Sequence, residues 1–131
     1  MFVRDAMSPT VLSIGPAHTL RQAAHLMAER SVGSAVVTDP AADGPGILTE
    51  RDVLRSLGDG EDPDVEVAGD HLTPDAVVAS PDWPLERAAA AMMQGGFRHL
   101  VVCDDNEVMG VLSVRDIVRV WSTAKGEPSA P

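Results

Sequence analysis

Gly46-Ile47-Leu48-Thr49-Glu50-Arg51-Asp52 and Gly110-Val111-Leu112-Ser113-Val114-Arg115-Asp116 carry one pattern, G-x-x-[ST]-x-R-D, at two places 64 residues apart. Arg55 falls on Arg119 by the same step. Toward the N-terminus the step becomes 65, so one residue is lost in a loop. Val36-Val37 then meets Val101-Val102, Met27 meets Met92, Ala23-Ala24 meets Ala88-Ala89, and Leu20 meets Leu85. Pro16 meets Pro81, Pro9 meets Pro74, and Asp5 meets Asp70. The matches run in order along nearly the whole chain with a single gap, the signature of two copies of a unit of roughly 60 residues. A unit that small buries too little surface to be stable alone, so the copies are expected to pack on each other.

The repeat puts a first domain at residues 1–58 and a second at 71–124. Between them, residues 59–70 hold Asp59, Glu61, Asp62, Asp64, Glu66 and Asp70, with Pro63 and no base. That composition reads as an exposed acidic linker. The tail, 125–131, contains Gly126, Pro128 and Pro131 and is expected to fray.

Within each copy the hydrophobic spacing sets the elements. Leu20, Ala23, Ala24 and Met27 fall at i, i+3, i+4 and i+7, one face of a helix, and Leu85, Ala88, Ala89 and Met92 repeat it. Thr19 and Gln22 form a capping-box start, and Pro84 suits the first turn of the second copy's helix. Gly95-Gly96 should stop that helix, and Gly33 should stop its counterpart. Ala35-Val36-Val37 and Leu100-Val101-Val102 read as strands, followed by a polar turn and a second strand, Gly46 to Leu48 or Val108 to Leu112. A short extended piece opens each copy, Thr10 to Ile14 or Ala76 to Ala79, and a second helix begins near Thr49 or Ser113. The order is strand, helix, strand, strand, helix, an α+β unit with a small sheet.

Composition narrows the function. The net charge of −10 argues against nucleic acid and anionic membranes, which need a basic face. No stretch reaches the length of a membrane span, and the first residues, with Arg4 and Asp5, lack the apolar core of a signal peptide. The lone Cys103, in the apolar run Leu100-Val101-Val102-Cys103, reads as a buried free thiol in a reducing cytoplasm. A cytoplasmic protein is expected.

The repeated motif ends at a strand-to-helix junction, with a hydroxyl and a carboxylate three residues apart. A helix N-terminus offers free N–H groups and a positive dipole end, which favour phosphate. A carboxylate one turn in can accept two hydrogen bonds from a ribose diol. Ser or Thr followed three residues later by Asp is equally a capping motif, and on that reading the pair only starts a helix. Both copies need a capped helix, so the duplication leaves both readings open.

The duplicated motif, the openings Val3-x-Asp5-x-Met7-Ser8-Pro9 and Asp70-x-Leu72-Thr73-Pro74, and Phe97-Arg98-His99-Leu100-Val101-Val102 together resemble tandem CBS domains, a family named after cystathionine β-synthase. The resemblance covers about residues 3 to 121. It implies two CBS units related by a pseudo-two-fold axis, with sheets that meet and leave two clefts. Many such pairs bind AMP, ADP or ATP there, and others bind adenosyl ligands such as S-adenosylmethionine or, further from the pattern, NAD. Carried over by position, Asp52 and Asp116 would hold ribose, and Thr49 and Ser113 would lie near ribose or phosphate. The backbone of Thr10 to Ser13 and of Ala76 to Ala79 would face the base. Arg98 and His99 would contact phosphate with Arg115 nearby, whereas their counterparts Gly33 and Ser34 carry no charge, which favours the cleft served by Arg98. One departure is that Leu100 runs straight into Val101 where similar proteins often have Pro.

His18, His25, His71 and His99 form no compact Cys/His cluster and read as surface or helix-end residues, so no metal is expected. The methionines read as core gap-fillers. Trp121 reads equally as packing or as a partner surface. Arg51, Arg55, Arg115 and Arg119 read as a solvated face or as phosphate counter-charges. The chain has no G-x-S-x-G and no P-loop, and its resemblance is to a regulatory part of enzymes, so it is not expected to be an enzyme. Taken together, the reading is a homodimeric regulatory module that senses an adenosine-type nucleotide in the cleft between two CBS domains, needs no cofactor, and signals to an unidentified effector protein. The alternative is a ligand-free structural or interaction protein of the same fold.

Overall fold

A computed structural model describes residues 1–73 and 78–124. The tail and the segment 74–77, which includes Ala76 and Val77 of the second extended piece, lie outside the described residues. The element order is α1 (Val3–Ala6), β1 (Ser13–Ile14), α2 (Leu20–Arg30), β2 (Ser34–Val37), β3 (Gly46–Thr49) and α3 (Glu50–Gly58), a 3-10 turn at Ala68–Asp70, then β4 (Val78–Ala79), α4 (Leu85–Gly95), β5 (His99–Asp104), β6 (Glu107–Ser113) and α5 (Val114–Ala124). Each repeat has its own three-stranded sheet, β1-β2-β3 and β4-β5-β6. The first strand of each runs parallel to the second, and the second and third are antiparallel. The α+β class and the strand-helix-strand-strand-helix order read from the sequence are the observed ones.

The helical stripes lie where their spacing predicts. Leu20, Ala23 and Met27 of α2 are buried, as are Leu85, Ala88 and Met92 of α4. Thr19 caps α2, its Oγ accepting the Gln22 N–H at 3.1 Å while Gln22 Oε1 accepts the Thr19 N–H at 2.9 Å. Pro84 sits at the N-cap of α4, one residue ahead of the first turn. The C-terminal stops differ from the expectation. Gly96 ends α4 at φ 70°, but α2 is ended by Ser31 at φ 56°, not by Gly33. Ser31 is the counterpart of Gly96 under the 65-residue step, so a side chain occupies a left-handed position that glycine fills in the other copy. Ser31→Gly is therefore expected to stabilise the protein by about 0.5–1 kcal/mol, the residual of the left-handed penalty after glycine's extra chain entropy. A urea midpoint that fell on this substitution would contradict the argument.

The tight Asp105-Asn106 turn, both residues at positive φ, explains the lost residue. A two-residue hairpin of this kind twists with its strands and lets pairing run to the tip. β5 and β6 are accordingly longer than β2 and β3, which are joined by a wider loop.

The packing units do not follow the repeat boundaries. One compact unit combines Met1–Thr10 with Val77–Pro131, so far as described, and the other is Val11–Ala76. The opening segment of each repeat is thus built into the core of the other repeat's unit. Val3 and Ala6 of α1 join Leu85, Ala88, Leu100, Val102, Leu112 and Ile117. Ala68, the counterpart of Val3, joins Leu20, Ala23, Ala35, Val37, Leu48 and Val53. The backbone bonds repeat just as closely. Val3 N–H donates to Trp83 O at 2.9 Å and Ser8 N–H to Val111 O at 2.9 Å, while Ala68 N–H donates to His18 O at 2.8 Å and Thr73 N–H to Ile47 O at 2.9 Å.

The exchange accounts for the glycine that opens each motif. A Cβ on Gly110 would lie 2.5 Å from Ser8 O, and one on Gly46 would lie 2.9 Å from Leu72 Cδ1. It also changes the picture of the acidic segment. Its charged side chains are largely exposed, yet its backbone is bound along the first unit. Leu20 N–H donates to Glu66 O at 3.0 Å, Arg21 N–H to Pro63 O at 3.0 Å, and Arg21 Nε to Asp64 Oδ1 at 2.5 Å. Cys103 is half-buried on β5, and burial pushes its thiol pKa up, which keeps it a poor nucleophile at neutral pH.

Candidate functional site

Each unit has one junction where its last strand turns into its last helix, and the motif residues meet there. At the first, Asp52 Oδ2 accepts hydrogen bonds from the Thr49 N–H at 2.8 Å and the Thr49 hydroxyl at 3.0 Å. Thr49 Oγ1 accepts the Asp52 N–H at 3.3 Å. At the second, Asp116 Oδ2 accepts the Ser113 N–H at 2.9 Å, and Ser113 Oγ accepts the Asp116 N–H at 3.1 Å. Both pairs are complete capping boxes, so the capping reading of the motif is realised in the structure. It does not exhaust the groups. The box occupies only one carboxylate oxygen, and all four residues keep partial exposure.

The remaining oxygens differ. Asp116 Oδ1 accepts from Arg119 Nη1 at 3.0 Å, and Arg119 Nη2 also donates to Ala6 O at 3.3 Å. Asp52 Oδ1 lies outside its box and outside the ion pairs of the described residues.

The residues beside each helix start differ more. Val114 N–H donates to Arg98 O at 3.0 Å, and His99 pairs with Ser113 across the β5–β6 ladder. Arg98, His99, Ser113, Arg115 and Asp116 are thereby gathered at one junction. At the other, Glu50 N–H donates to Gly33 O at 3.0 Å, and Ser34 pairs with Thr49. A Cβ on Gly33 would lie 3.2 Å from Glu50 Oε1, so a carboxylate covers the place equivalent to the Arg98 side chain. The positive end of α3 already faces two acids in its first turn, Glu50 and Asp52, while α5 has Asp116 alone. The charges in place therefore oppose an added anion more at the first junction than at the second. The sequence flagged the missing charge at Gly33 but not the acid that covers it. Arg51, Arg55, Arg98 and Arg115 are exposed, and among the described residues their side chains have no ion pair.

Of the expected base-facing backbone, Leu12 is buried and Ser13–Ile14 forms β1; on the second copy Val78–Ala79 forms β4. A further cluster escaped the sequence reading. Glu61, Glu66 and His71 bring one carboxylate oxygen each and an imidazole nitrogen within 4.8 Å of one another. The repeated five-residue spacing was the available signal. His71 is three-quarters buried or more, unlike the exposed His25, whose Nε2 lies 3.2 Å from Glu29 Oε2.

No helix among the described residues is long and apolar enough to cross a membrane. The CBS domain family matches residues 3–59 and 67–122. The chain is similar to the CBS domain-containing protein YhcV of Bacillus subtilis, 31% identical over 116 residues covering 88% of this chain and 81% of that protein. It spans about half the length of two other curated relatives, 57% of one and 42% of the other. Among solved structures it is similar to a hexameric CBS-CP12 protein from bloom-forming cyanobacteria, with TM-score 0.86, 23% identity, and 98% of this chain and 90% of that one covered. It is also similar to the CBS domain pair of protein MJ0100 in complex with 5′-methylthioadenosine and S-adenosyl-L-methionine, with TM-score 0.82, 20% identity, and 92% and 99% covered. At these identities the likeness to the two structures is one of fold.

Proposed function

The chain belongs to the CBS domain family, and from that premise we propose that it is a non-catalytic regulatory module that binds an adenosine-type nucleotide at the β6–α5 junction. One observation carries the choice of junction. The Arg98 carbonyl is hydrogen-bonded to the first N–H of α5, which sets Arg98, exposed and without an ion pair among the described residues, beside a helix start with one acid, where the other copy has Glu50 over Gly33. Arg98 and Arg115 answer phosphate, the helix end adds its dipole, and Asp116 answers the ribose diol once Arg119 releases Oδ1. AMP, ADP and ATP fit this set best, since each joins a ribose to a 5′-phosphate. The adenosyl ligands of the MJ0100 pair are supporting precedent for the fold rather than for this chain. No further cofactor is invoked.

The output is proposed to pass to an effector protein, because a ligand changes a partner only through its different affinity for two states of the module. Self-association is proposed through α3 and α5. Leu54 and Leu57 are exposed on α3, and their counterparts under the 64-residue step, Val118 and Trp121, are exposed on α5.

Thermal shift with AMP, ADP, ATP, S-adenosylmethionine and NAD tests the nucleotide reading. A ligand near 100 times its Kd adds about 2.7 kcal/mol, a rise of several degrees. The expected result is a rise that Asp116→Ala abolishes, Arg98→Ala reduces and Asp52→Ala keeps. Because Asp116→Ala also removes a cap costing about 1 kcal/mol, each variant is compared with its own ligand-free Tm. A rise that survives Asp116→Ala sinks the assignment of the junction. No rise with any ligand favours the second reading, a ligand-free interaction module, which has its own support in two capping boxes that are complete without a ligand.

A further inference from the structure

We infer that Glu61, Glu66 and His71 form a binding site for a divalent transition-metal ion of the zinc type, independent of the nucleotide reading. His71 Nε2 lies 2.7 Å from Glu66 Oε1 and 3.9 Å from Glu61 Oε1. Ligand bonds of about 2.0–2.2 Å in a tetrahedron set donor atoms roughly 3.3–3.6 Å apart, so movements of under about 1 Å complete the set.

The donors are held from behind. Glu61 N–H donates to Ser56 O at 3.1 Å, Glu66 N–H to Asp62 O at 2.9 Å, and His71 N–H to Ala68 O at 3.1 Å. The Ser56 hydroxyl, 2% exposed on α3, donates to Glu61 Oε1 at 2.9 Å. A buried hydroxyl that aims a carboxylate in this way is an outer-shell contact of the sort that orients metal ligands.

Charge selects the occupant. Two carboxylates crowd one imidazole, and among the described residues neither glutamate pairs with Lys or Arg; Arg21 of α2, which reaches this segment, is paired with Asp64. A divalent cation matches the charge of the two carboxylates and can be ligated by the imidazole ring nitrogen that already faces them. An imidazole beside carboxylates, without thiolate, suits zinc, cobalt or nickel over calcium and magnesium, which prefer all-oxygen sets. Three protein donors leave a coordination position for water. An ion here would fasten residues 61–71, the segment that inserts Ala68 into the core of the first repeat's unit, so binding is coupled to that unit's stability.

Calorimetric titration of the EDTA-treated full chain with Zn²⁺ is the test. The expected result is one ion per chain, a raised Tm, loss of binding in His71→Ala, and affinity about tenfold or more weaker in Ser56→Ala. His25→Ala should bind as the wild type does, and Mg²⁺ should give no heat. Circular dichroism checks that each variant folds; if His71→Ala does not, Glu66→Gln takes its place, and the visible spectrum of the Co²⁺ form reports the imidazole and carboxylate donors in the wild type itself. No binding by the wild type, or undiminished binding by a folded His71→Ala or Glu66→Gln, overturns the site.

Discussion

Val3→Asp is expected to cost 3 kcal/mol or more and to unfold the unit built on the second repeat first. α1 is a single turn, Val3–Ala6, far below the length at which a helix is stable by itself. It is held by the burial of Val3 and Ala6 among residues more than seventy positions away in sequence. Val3 has no exposure at all. Removing it forfeits the roughly 1.5–3 kcal/mol of a fully buried aliphatic side chain, and the new carboxylate must either be buried unpaired or drag α1 out of the core. Against a total stability of about 5–15 kcal/mol for a domain this size, that loss is a large fraction. Trp83, packed on the same cluster, is a native fluorescent reporter. Urea unfolding followed by tryptophan emission, to which Trp121 of the same unit also contributes, should show the midpoint fall well below the wild type's, while Phe2→Asp, at the exposed neighbouring position, leaves it nearly unchanged. If Val3→Asp moved the midpoint no more than Phe2→Asp, the exchange of opening segments would not be what closes this core.

The same exchange marks where sequence reading stops. The units, their element order and the helical stripes are legible because periods of 3.6 and 2 are local, and because the repeat states them twice. Val3 and Ala68 are legible as equivalent positions, yet the sequence cannot say which core each one joins. Two copies of one unit offer nearly identical surfaces, so insertion at home and insertion into the other copy use the same complementary residues. Only the length and direction of the chain between them decide. Gly46 and Gly110 look like motif residues and turn out to clear the path of the exchanged segment. Ser31 was missed as a helix stop because the expected glycine lay two residues on. Glu61, Glu66 and His71 were missed because a five-residue step matches neither helix nor strand, and it is the docked path of the acidic segment that folds the step into a cluster. At the junctions, the motif predicted both the cap and the candidate ligand groups. The missing charge at Gly33 was legible as well; what the sequence could not supply is that Arg98 lies beside Val114 and Gly33 beneath Glu50, since that depends on hydrogen bonds and packing between separate segments.

On the proposed self-association, Val118→Lys is expected to convert the dimer to a monomer without loss of folding. Val118 is 55% exposed and Trp121, on the same face of α5 three residues on, is 41% exposed; Leu54 and Leu57, at 69% and 48%, occupy the equivalent positions of α3. Isolated apolar residues on a surface need no explanation, but the same pair left bare at equivalent places in both repeats supports the proposed self-association. Trp adds weight, because it is enriched at interface cores where Lys is depleted. A second copy of this chain is the simplest occupant of a surface displayed twice. In a two-fold interface each substitution counts twice. Two lysines desolvated at about 2 kcal/mol each amount to roughly 4 kcal/mol, close to a thousandfold in Kd. Because Val118 is exposed in the single chain, the lysine should leave the Tm of the monomer within about a degree or two, the usual size of surface effects. Sedimentation velocity at micromolar concentration reads the result directly. A wild-type monomer would remove self-association from the proposed function, and a Val118→Lys protein that still sedimented as a dimer would move the interface off α5.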